Sequence, residues 1–329
     1  MRVRTSQHER EAISASGIND RSFGLVIFGV VEILIGAGCA LLAPLSLVAA
    51  SLTGTADPRS VVPTMILYTV VAAVFIWLGV GSIRARRWAC ELTLSLSWIW
   101  LVTGVCSMVI GVWLVPVMLR GMAVASNFPP NFVLFLSLGV FVITGVLYVV
   151  LPGAFVLFYR SPEVIATCRI RDPRPQWTDN LPRRLLTLVI VWALAAVSVL
   201  VMPAYWFVMP FFGVVLNGAG GAAVWAVILA GCVVLAWGSV RRAPWAWWGG
   251  VVAIVLGTLS SVITAVHVDP AAFILAMNLP GQQAALLSEI AMPGRWMMAL
   301  SCLVVWGSFL AYLMTVRRFF LPMPKDAGD

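Results

Sequence analysis

Charged side chains are scarce in this chain. Asp, Glu, Lys and Arg make up 10% of its 329 residues, whereas 61% are hydrophobic. Soluble domains carry roughly a quarter charged residues, so this composition excludes an ordinary water-soluble protein. Several apolar runs also exceed the roughly 18–20 residues that cross a hydrocarbon core of about 30 Å. The composition therefore predicts a polytopic α-helical membrane protein.

Lysine and histidine are almost missing, since Lys325 is the only lysine and His8 and His267 are the only histidines. The apolar runs therefore offer no histidine pair for haem and no lysine for a retinal Schiff base. The chain also has no G-x-S-x-G, P-loop or H-E-x-x-H motif and no paired intramembrane carboxylates. Without a nucleophile–base pair or a metal cluster, we expect no enzymatic activity, no cofactor and no metal site.

The six cysteines show no spacing typical of a framework, because no C-x-x-C pair occurs. None lies in a predicted external loop. We therefore expect neither a disulfide framework nor a zinc site, and interpret the cysteines as small packing residues. Five fall inside apolar runs and one in a basic loop: Cys39, Cys90, Cys106, Cys232, Cys302 and, in the loop, Cys168.

A short basic turn occurs twice. Residues 81–89 (GSIRARRWA) are echoed by residues 238–246 (GSVRRAPWA), 157 positions further on. Each copy separates two long apolar runs with arginines followed by a tryptophan. This pattern is typical of the tight cytoplasmic turn of a transmembrane hairpin. We interpret its arginines as topology determinants, namely Arg84, Arg86, Arg87, Arg241 and Arg242.

Eight membrane spans are predicted from the apolar runs and the helix breakers. They lie at about 23–50, 62–83, 88–115, 132–159, 185–212, a sixth ending at 240, 245–268 and 294–316. Arginines cluster in both tails, both turns and the central linker, so the positive-inside rule places both termini in the cytoplasm, at the inner membrane. The formal net charge of +8 then reflects topology and attraction to lipid headgroups, and we expect no nucleic-acid binding.

Two similar halves are indicated by the repeated turn and the shared spacing of the loops. The predicted fold class is an all-α integral membrane protein, with eight transmembrane helices as two tandem, same-orientation four-helix repeats. The linker has too few apolar residues to form a core. The predicted boundaries are a cytoplasmic tail 1–22, a first repeat 23–159, a basic proline-rich cytoplasmic linker 160–184, a second repeat 185–318 and a cytoplasmic tail 319–329.

Proline and glycine set the remaining predicted boundaries. Pro116 marks the outer end of the third span, and residues 116–131 form an outer loop in which an interfacial helix would fit. Residues 217–221 (NGAGG) are predicted to be a short outer turn, and residues 269–293 a second long outer loop. Pro152 predicts a kink in the fourth span, which neighbouring helices make tolerable.

Glu32 is the acidic residue closest to the middle of a predicted span, roughly 13 Å inside it at about 1.5 Å per residue. An intramembrane carboxyl is costly and marks a candidate functional site. Gly29, Gly36 and Ala40 share its helical face, so the side chain is predicted to point into the bundle. Two interpretations stay open: a protonated acid that hydrogen-bonds a neighbouring helix, or a proton or cation site.

Three further polar residues are secondary candidates. Glu91 lies four residues after Arg87, close enough for a local ion pair or for snorkelling to the headgroups. His267 and Asp269 lie at the outer end of the seventh span, where they would bind a metal, sense pH or cap a helix end. A structural role is the simpler interpretation for all three.

A stripe of small residues runs along the seventh span at intervals of four. Such a face lets another helix approach closely, within the chain or between chains, and carries no chemistry of its own. The stripe consists of Gly249, Ala253, Gly257 and Ser261.

Polar groups are too few inside the spans for most membrane chemistry. We therefore expect a non-catalytic multi-pass protein, a structural or assembly subunit whose partners are the lipid bilayer and other membrane subunits or a second copy. The alternative is a transporter or channel for a small apolar or lipid-like solute, proton-coupled through Glu32, since parallel repeats occur in carriers.

Overall fold

The computed structural model describes residues 20–52, 58–126, 130–174, 176–200, 202–205, 207–269 and 294–321. Within these ranges seven helices are long and apolar enough to cross a membrane, so the chain is a multi-pass helical membrane protein. They are Ser22–Leu52, Val61–Ile83, Arg87–Val112, Leu134–Tyr159, Gly218–Val240, Pro244–His267 and Arg295–Phe319. Most of both predicted tails and of the loop 269–293 lies outside the described residues.

Ten α-helices are described: α1 (Ser22–Leu52), α2 (Pro58–Ile83), α3 (Arg87–Ser126), α4 (Pro130–Gly145), α5 (Leu151–Tyr159), α6 (Pro162–Arg171), α7 (Arg183–Val199), α8 (Gly218–Val240), α9 (Pro244–His267) and α10 (Arg295–Val316). A π turn (Val146–Val150) joins α4 to α5, and strands β1 (Met209–Phe211) and β2 (Val214–Leu216) precede α8. The chain divides into unit 1, Met1–Leu101 with Val150–Thr187, and unit 2, Val102–Val149 with Leu188–Asp329.

Helices α1 and α2 of unit 1 pack so closely that their contact requires glycine. A Cβ atom at Gly79 would lie 2.6 Å from the Gly29 carbonyl oxygen, and one at Gly29 would lie 2.8 Å from the Gly79 carbonyl oxygen. Two turns further along α1, a Cβ atom at Gly36 would lie 2.9 Å from the Ala72 carbonyl oxygen. Because lipid tails are as apolar as the side chains, close packing of this kind is what holds two membrane helices together.

The basic linker contains a helix of its own. Ser161 is the N-cap of α6 and accepts the backbone N–H of Val164 at 3.4 Å, while Pro162 occupies the first helical position. Val164 and Cys168 are buried in a cluster with Leu25 and other apolar side chains of α1, α3 and α5. The linker thus packs against the membrane helices of unit 1.

The expectation that the cysteines serve only as packing residues was wrong for one pair. Cys90 of α3 and Cys168 of α6 are joined as a disulfide across 78 residues of sequence. No spacing pattern signals this pair, because the docking of α6 on the first turns of α3 brings the two side chains together.

Acidic side chains of the linker neutralise the first basic turn. Asp172 is 2% exposed, and it accepts hydrogen bonds from Arg86 Nη1 and from the Arg87 backbone N–H, both at 3.4 Å. Arg87 Nη1 also pairs with Asp179 at 3.2 Å. Arginines that were interpreted as topology determinants therefore also anchor the linker.

Helix α3 extends beyond the predicted outer end of the third span. The stretch that is apolar enough to cross a membrane ends at Val112, close to the predicted boundary. The helix itself continues through Pro116 to Ser126, so residues 116–126 are helical. Pro116 is followed by twelve residues without another proline, and the next prolines are Pro129 and Pro130. A single proline is tolerated in a membrane helix because local adjustments satisfy the carbonyl that it frees.

A π turn lies where Pro152 predicts a kink. The turn Val146–Val150 ends two residues before this proline, and widening of the helix is a common response to a proline that cannot donate a hydrogen bond. In unit 2, Gly104 of α3 lies against the π turn, and a Cβ atom there would collide with the Tyr148 carbonyl oxygen. Glycine therefore allows α3 to pack on the distorted backbone.

The fifth predicted span was wrong in length. Helix α7 ends at Val199 after 17 residues, and β1 and β2 pair as an antiparallel hairpin where the outer half of the span was expected. Pro203 and Pro210 lack the N–H that helix continuation needs. Phe212 and Gly213 take positive φ angles of 45° and 85°, as the turn of a two-residue hairpin requires.

The predicted outer turn at residues 217–221 was also wrong. Asn217 is the N-cap of α8, and the glycines after it form the first turn of that helix. The hairpin lies against this turn, since a Cβ atom at Gly221 would collide with the Phe207 carbonyl oxygen. The missing side chain of Gly221 thus allows close packing and does not mark a reversal of the chain.

The two basic turns have the same backbone conformation. Ala85 and Arg242 occupy equivalent positions, and both have positive φ angles, of 50° and 54°. Each turn is closed by a hydrogen bond from the next backbone N–H to the carbonyl of its first glycine, Gly81 or Gly238. This equivalence supports the tandem repeat, which stays a prediction.

Replacing Gly79 or Gly29 by alanine should destabilise the α1–α2 pair, because each new methyl group would meet a carbonyl oxygen of the facing helix. We expect a loss of about 1–3 kcal/mol, typical of overpacking, measured as a lower midpoint of thermal unfolding in detergent. Gly38→Ala in α1 is the matched control, since no atom lies within 4 Å of its added Cβ. Equal midpoints for the three variants would contradict the close packing.

Candidate functional site

The Glu32 side chain lies inside unit 1 and is 1% exposed. Gly29 and Gly36 of the same helical face are also buried, as the sequence pattern predicts, whereas Ala40 is exposed. The glycine contacts bring α2 so close that the carboxyl cannot reach lipid on that side. Packing of α1 against α2 therefore positions Glu32 towards the interior.

Tyr159, at the end of α5, is the hydrogen-bond partner of Glu32. Its hydroxyl donates to Glu32 Oε1 at 3.3 Å, and the tyrosine is 1% exposed. Aromatic rings hold it in place, with ring centroids at 6.1 Å for Phe28, 6.1 Å for Phe155 and 5.2 Å for Phe158. Edge-to-face and offset contacts of this kind fix ring orientation.

Two hydroxyl groups complete a cluster of four polar side chains from four helices, which we call the Glu32 cluster: Glu32, Ser82, Thr93 and Tyr159. Ser82 of α2 is 0% exposed and Thr93 of α3 is 3% exposed. Both hydroxyls lie next to the carboxyl as potential donors, although their geometry falls outside that of a regular hydrogen bond.

Sequence reasoning identified Glu32 but missed its three partners. Ser82 belongs to the repeated Gly-Ser pair of the basic turns, and Ser239 in the second turn is likewise fully buried. The repeated Gly-Ser pair was therefore the sequence signal that Ser82 is buried. Thr93 and Tyr159 carry no such signal, because which helices face α1 depends on tertiary packing.

Glu91 has a different partner from the one that its spacing suggests. Arg183, at the start of α7, donates to its two oxygens from Nε at 2.7 Å and from Nη2 at 2.9 Å. This bidentate geometry is the favourable one for an arginine and a carboxylate. Arg87 pairs instead with Asp179, so Glu91 joins the start of α3 to the end of the linker.

His267 is the last residue of α9, and its Nδ1 lies 2.9 Å from the Ile263 carbonyl oxygen. The side chain thus bonds to the last turn of its own helix. Asp269 follows in an exposed position. Among the described residues no three His, Cys, Asp or Glu side chains come together as a metal site.

The small-residue stripe of α9 faces two different helices of unit 2. A Cβ atom at Gly257 would lie 3.0 Å from the Trp306 ring of α10, and Ser261 Oγ accepts the Trp306 indole N–H at 3.2 Å. Gly249 faces Leu235 of α8, whereas Ala253 is exposed. Part of this stripe is therefore used for packing within the unit.

One arginine of the second basic turn lies beside an aromatic ring. The Arg241 guanidinium stands 4.3 Å above the centroid of the Trp237 ring, a cation–π contact. In the first turn Arg84 is exposed, while Arg86 and Arg87 pair with the linker. The same sequence pattern therefore serves different partners in the two units.

No protein-family model, curated protein or solved structure matches this chain.

Replacing Tyr159 by phenylalanine should leave Glu32 Oε1 without its donor, at a cost of about 1–3 kcal/mol in the free energy of unfolding. In a double-mutant cycle with Glu32→Leu, which removes the acceptor oxygen, we expect a coupling energy above about 0.5 kcal/mol, because the two groups interact directly. Tyr68→Phe is the matched control, since Tyr68 lies roughly 20 Å along α2 from Ser82 at about 1.5 Å per residue. Additive effects of Tyr159→Phe and Glu32→Leu would show that the hydrogen bond contributes nothing.

Proposed function

We propose that this chain is a non-catalytic subunit that assembles with other membrane proteins through glycine-bearing faces of its helices. The observation that carries the proposal is a set of exposed glycines with open space beside them. No atom lies within 4 Å of a Cβ built at Gly38 of α1, Gly139 of α4 or Gly307 of α10.

An exposed glycine inside a helix needs a reason, because it costs roughly 0.5–1 kcal/mol relative to alanine. At Gly29 and Gly79 the reason is the close contact of α1 with α2. Gly38, Gly139 and Gly307 have no such contact within the described chain. In membranes, small residues allow a second helix to approach closely, which would account for these three positions.

Exposure of whole helix faces supports the same proposal. The most apolar stretch of the span Leu134–Tyr159 contains no buried residue. On α10, Gly307 and Ala311 are both exposed and four residues apart, the spacing of small residues at helix–helix contacts. The occupant that fits such a face is a transmembrane helix of another subunit.

Gly307→Leu should remove a native partner, because the new side chain would fill the space into which the partner helix packs. The measurement is purification of the native protein in gentle detergent, followed by quantitative mass spectrometry of stoichiometric co-purifying membrane subunits. We expect at least about a tenfold loss, equivalent to 1.4 kcal/mol, with an unchanged unfolding midpoint.

Val305→Leu is the matched control on the same helix, since Val305 is exposed and its replacement keeps the surface apolar. It should retain the partner. A wild-type protein that purifies as a clean monomer, or a partner retained equally by both variants, would contradict the proposal. A wild-type homodimer that is dissociated by Gly307→Leu but not by Val305→Leu would show that the partner is a second copy of this chain and not another subunit.

A second candidate is a carrier for a small apolar or lipid-like solute, coupled to a proton at Glu32. The Glu32 cluster is the observation that favours it, because polar groups from four helices meet there. Its enclosure by aromatic rings and the 1% exposure of Glu32 favour the structural alternative.

Glu32→Gln separates the two candidates. A structural carboxyl tolerates the amide, whereas a proton-coupled carrier loses pH-driven flux because an amide, unlike a carboxyl, does not ionise. We expect the variant to keep its co-purifying partner and to fold with a midpoint close to that of the wild type. Solute flux in proteoliposomes that is driven by a pH gradient and abolished by Glu32→Gln would establish the carrier instead.

A further inference from the structure

Two exposed arginines mark one end of unit 2. Arg241 directly follows the last residue of α8, and Arg317 directly follows the last residue of α10. A short turn joins α8 to the start of α9, where Trp247 donates its indole N–H to the Leu313 carbonyl of α10 at 3.1 Å. The ends of α8 and α10 therefore both lie beside the first turn of α9.

Tryptophan rings lie next to both arginines. The Arg241 guanidinium stands 4.3 Å from the centroid of the Trp237 ring, and that ring lies 6.3 Å from the Trp245 ring. The Arg317 guanidinium stands 5.5 Å from the centroid of Trp247. Trp237 and Trp245 are both exposed. Exposed tryptophans beside cations are typical of the level of the lipid headgroups, where one part of a side chain is wet and the other apolar.

Counter-charges for these arginines are missing from the described part of unit 2. In the equivalent turn of unit 1, Asp172 and Asp179 accept Arg86 and Arg87, and every ion pair between two described residues lies in unit 1. The only acidic residue described in unit 2 is Asp269, beyond the far end of the 24-residue helix α9. That helix is about 36 Å long at about 1.5 Å per residue. An acid so distant does not neutralise Arg241 or Arg317.

An anion with an apolar body fits this surface. Guanidinium groups bind phosphate oxygens through paired hydrogen bonds. Apolar side chains that are exposed continue from the arginines along both helices, with Val233 and Val234 on α8 and Met314 on α10. A free phosphate would use the arginines alone, whereas a phospholipid would also cover the apolar surface with its acyl chains.

We propose that Arg241 and Arg317, with the tryptophans beside them, form a binding site for an anionic phospholipid in unit 2. The headgroup phosphate lies at the arginines and the acyl chains lie along the exposed faces of α8 and α10. Basic groups beside membrane helices favour lipids of net negative charge over zwitterionic ones. The site is separate from the proposed assembly face at Gly307 and does not depend on it.

Native mass spectrometry of the full-length protein in detergent tests the lipid preference. The protein would be titrated with phosphatidylglycerol or with phosphatidylcholine of the same acyl chains. Because two arginines attract a net negative headgroup, we expect phosphatidylglycerol to bind at least about tenfold more tightly. The full chain also contains Glu289, Asp326 and Asp329, which lie outside the described residues, so any charge that they offer the arginines is included. Equal affinities for the two lipids would overturn the proposal.

Variants assign the preference to this end of the unit. Arg241→Gln and Arg317→Gln should each lower the preference for phosphatidylglycerol about fivefold, with unchanged unfolding midpoints, because each removes one exposed charge. Arg295→Gln is the matched control, since it removes an exposed arginine at the opposite end of α10. A preference that persists when Arg241 and Arg317 are replaced together, or that falls equally in the control, would overturn the site.

Two further measurements separate the lipid from other anions. Inorganic phosphate at the concentration of the lipid should not displace phosphatidylglycerol, because it lacks the acyl chains; displacement would overturn the lipid and point to a soluble anion. Purification from native membranes gives the second. Loss of a co-purifying subunit in Arg317→Gln, without any lipid preference in the wild type, would overturn the proposal and show that an acidic protein segment covers the arginines.

Discussion

The close contact between α1 and α2 is the constraint on which unit 1 depends. With glycine on both sides, at Gly29 and Gly79, the two backbones meet directly. Glu32 lies on this face, so the packing that stabilises the helix pair also buries its carboxyl. A buried carboxyl without a charged partner must be neutralised or bound, and Tyr159 from α5 is positioned for part of that task.

The linker shows how a basic segment becomes part of a membrane unit. Asp172 and Asp179 neutralise Arg86 and Arg87, while Val164 and Cys168 contribute apolar surface to the same cluster as Leu25. Charge on the arginines therefore has two effects, since it sets the predicted topology and fixes α6 against the first turns of α3. Val164 and Cys168 of α6 lie in the same buried cluster as Tyr159 of α5.

Glycine has two opposite uses in this chain. At Gly79, Gly104 and Gly221 it permits a backbone to approach within van der Waals distance of another part of the same unit. At Gly139 and Gly307 nothing of the described chain fills the space. That contrast is the physical basis for the proposed assembly function, because a helix surface shaped for close approach and left open within the chain fits a further helix.

Apolar runs longer than the hydrocarbon core are enough to determine a multi-pass helical protein from sequence, because a backbone in lipid must satisfy its own hydrogen bonds. Local sequence also indicated the inward face of α1 and the two equivalent basic turns. Tertiary structure decided the rest. Whether Pro116 ended a helix, whether residues 209–216 formed a hairpin, and which hydroxyls met Glu32 depended on neighbouring segments, which no local pattern of residues encodes.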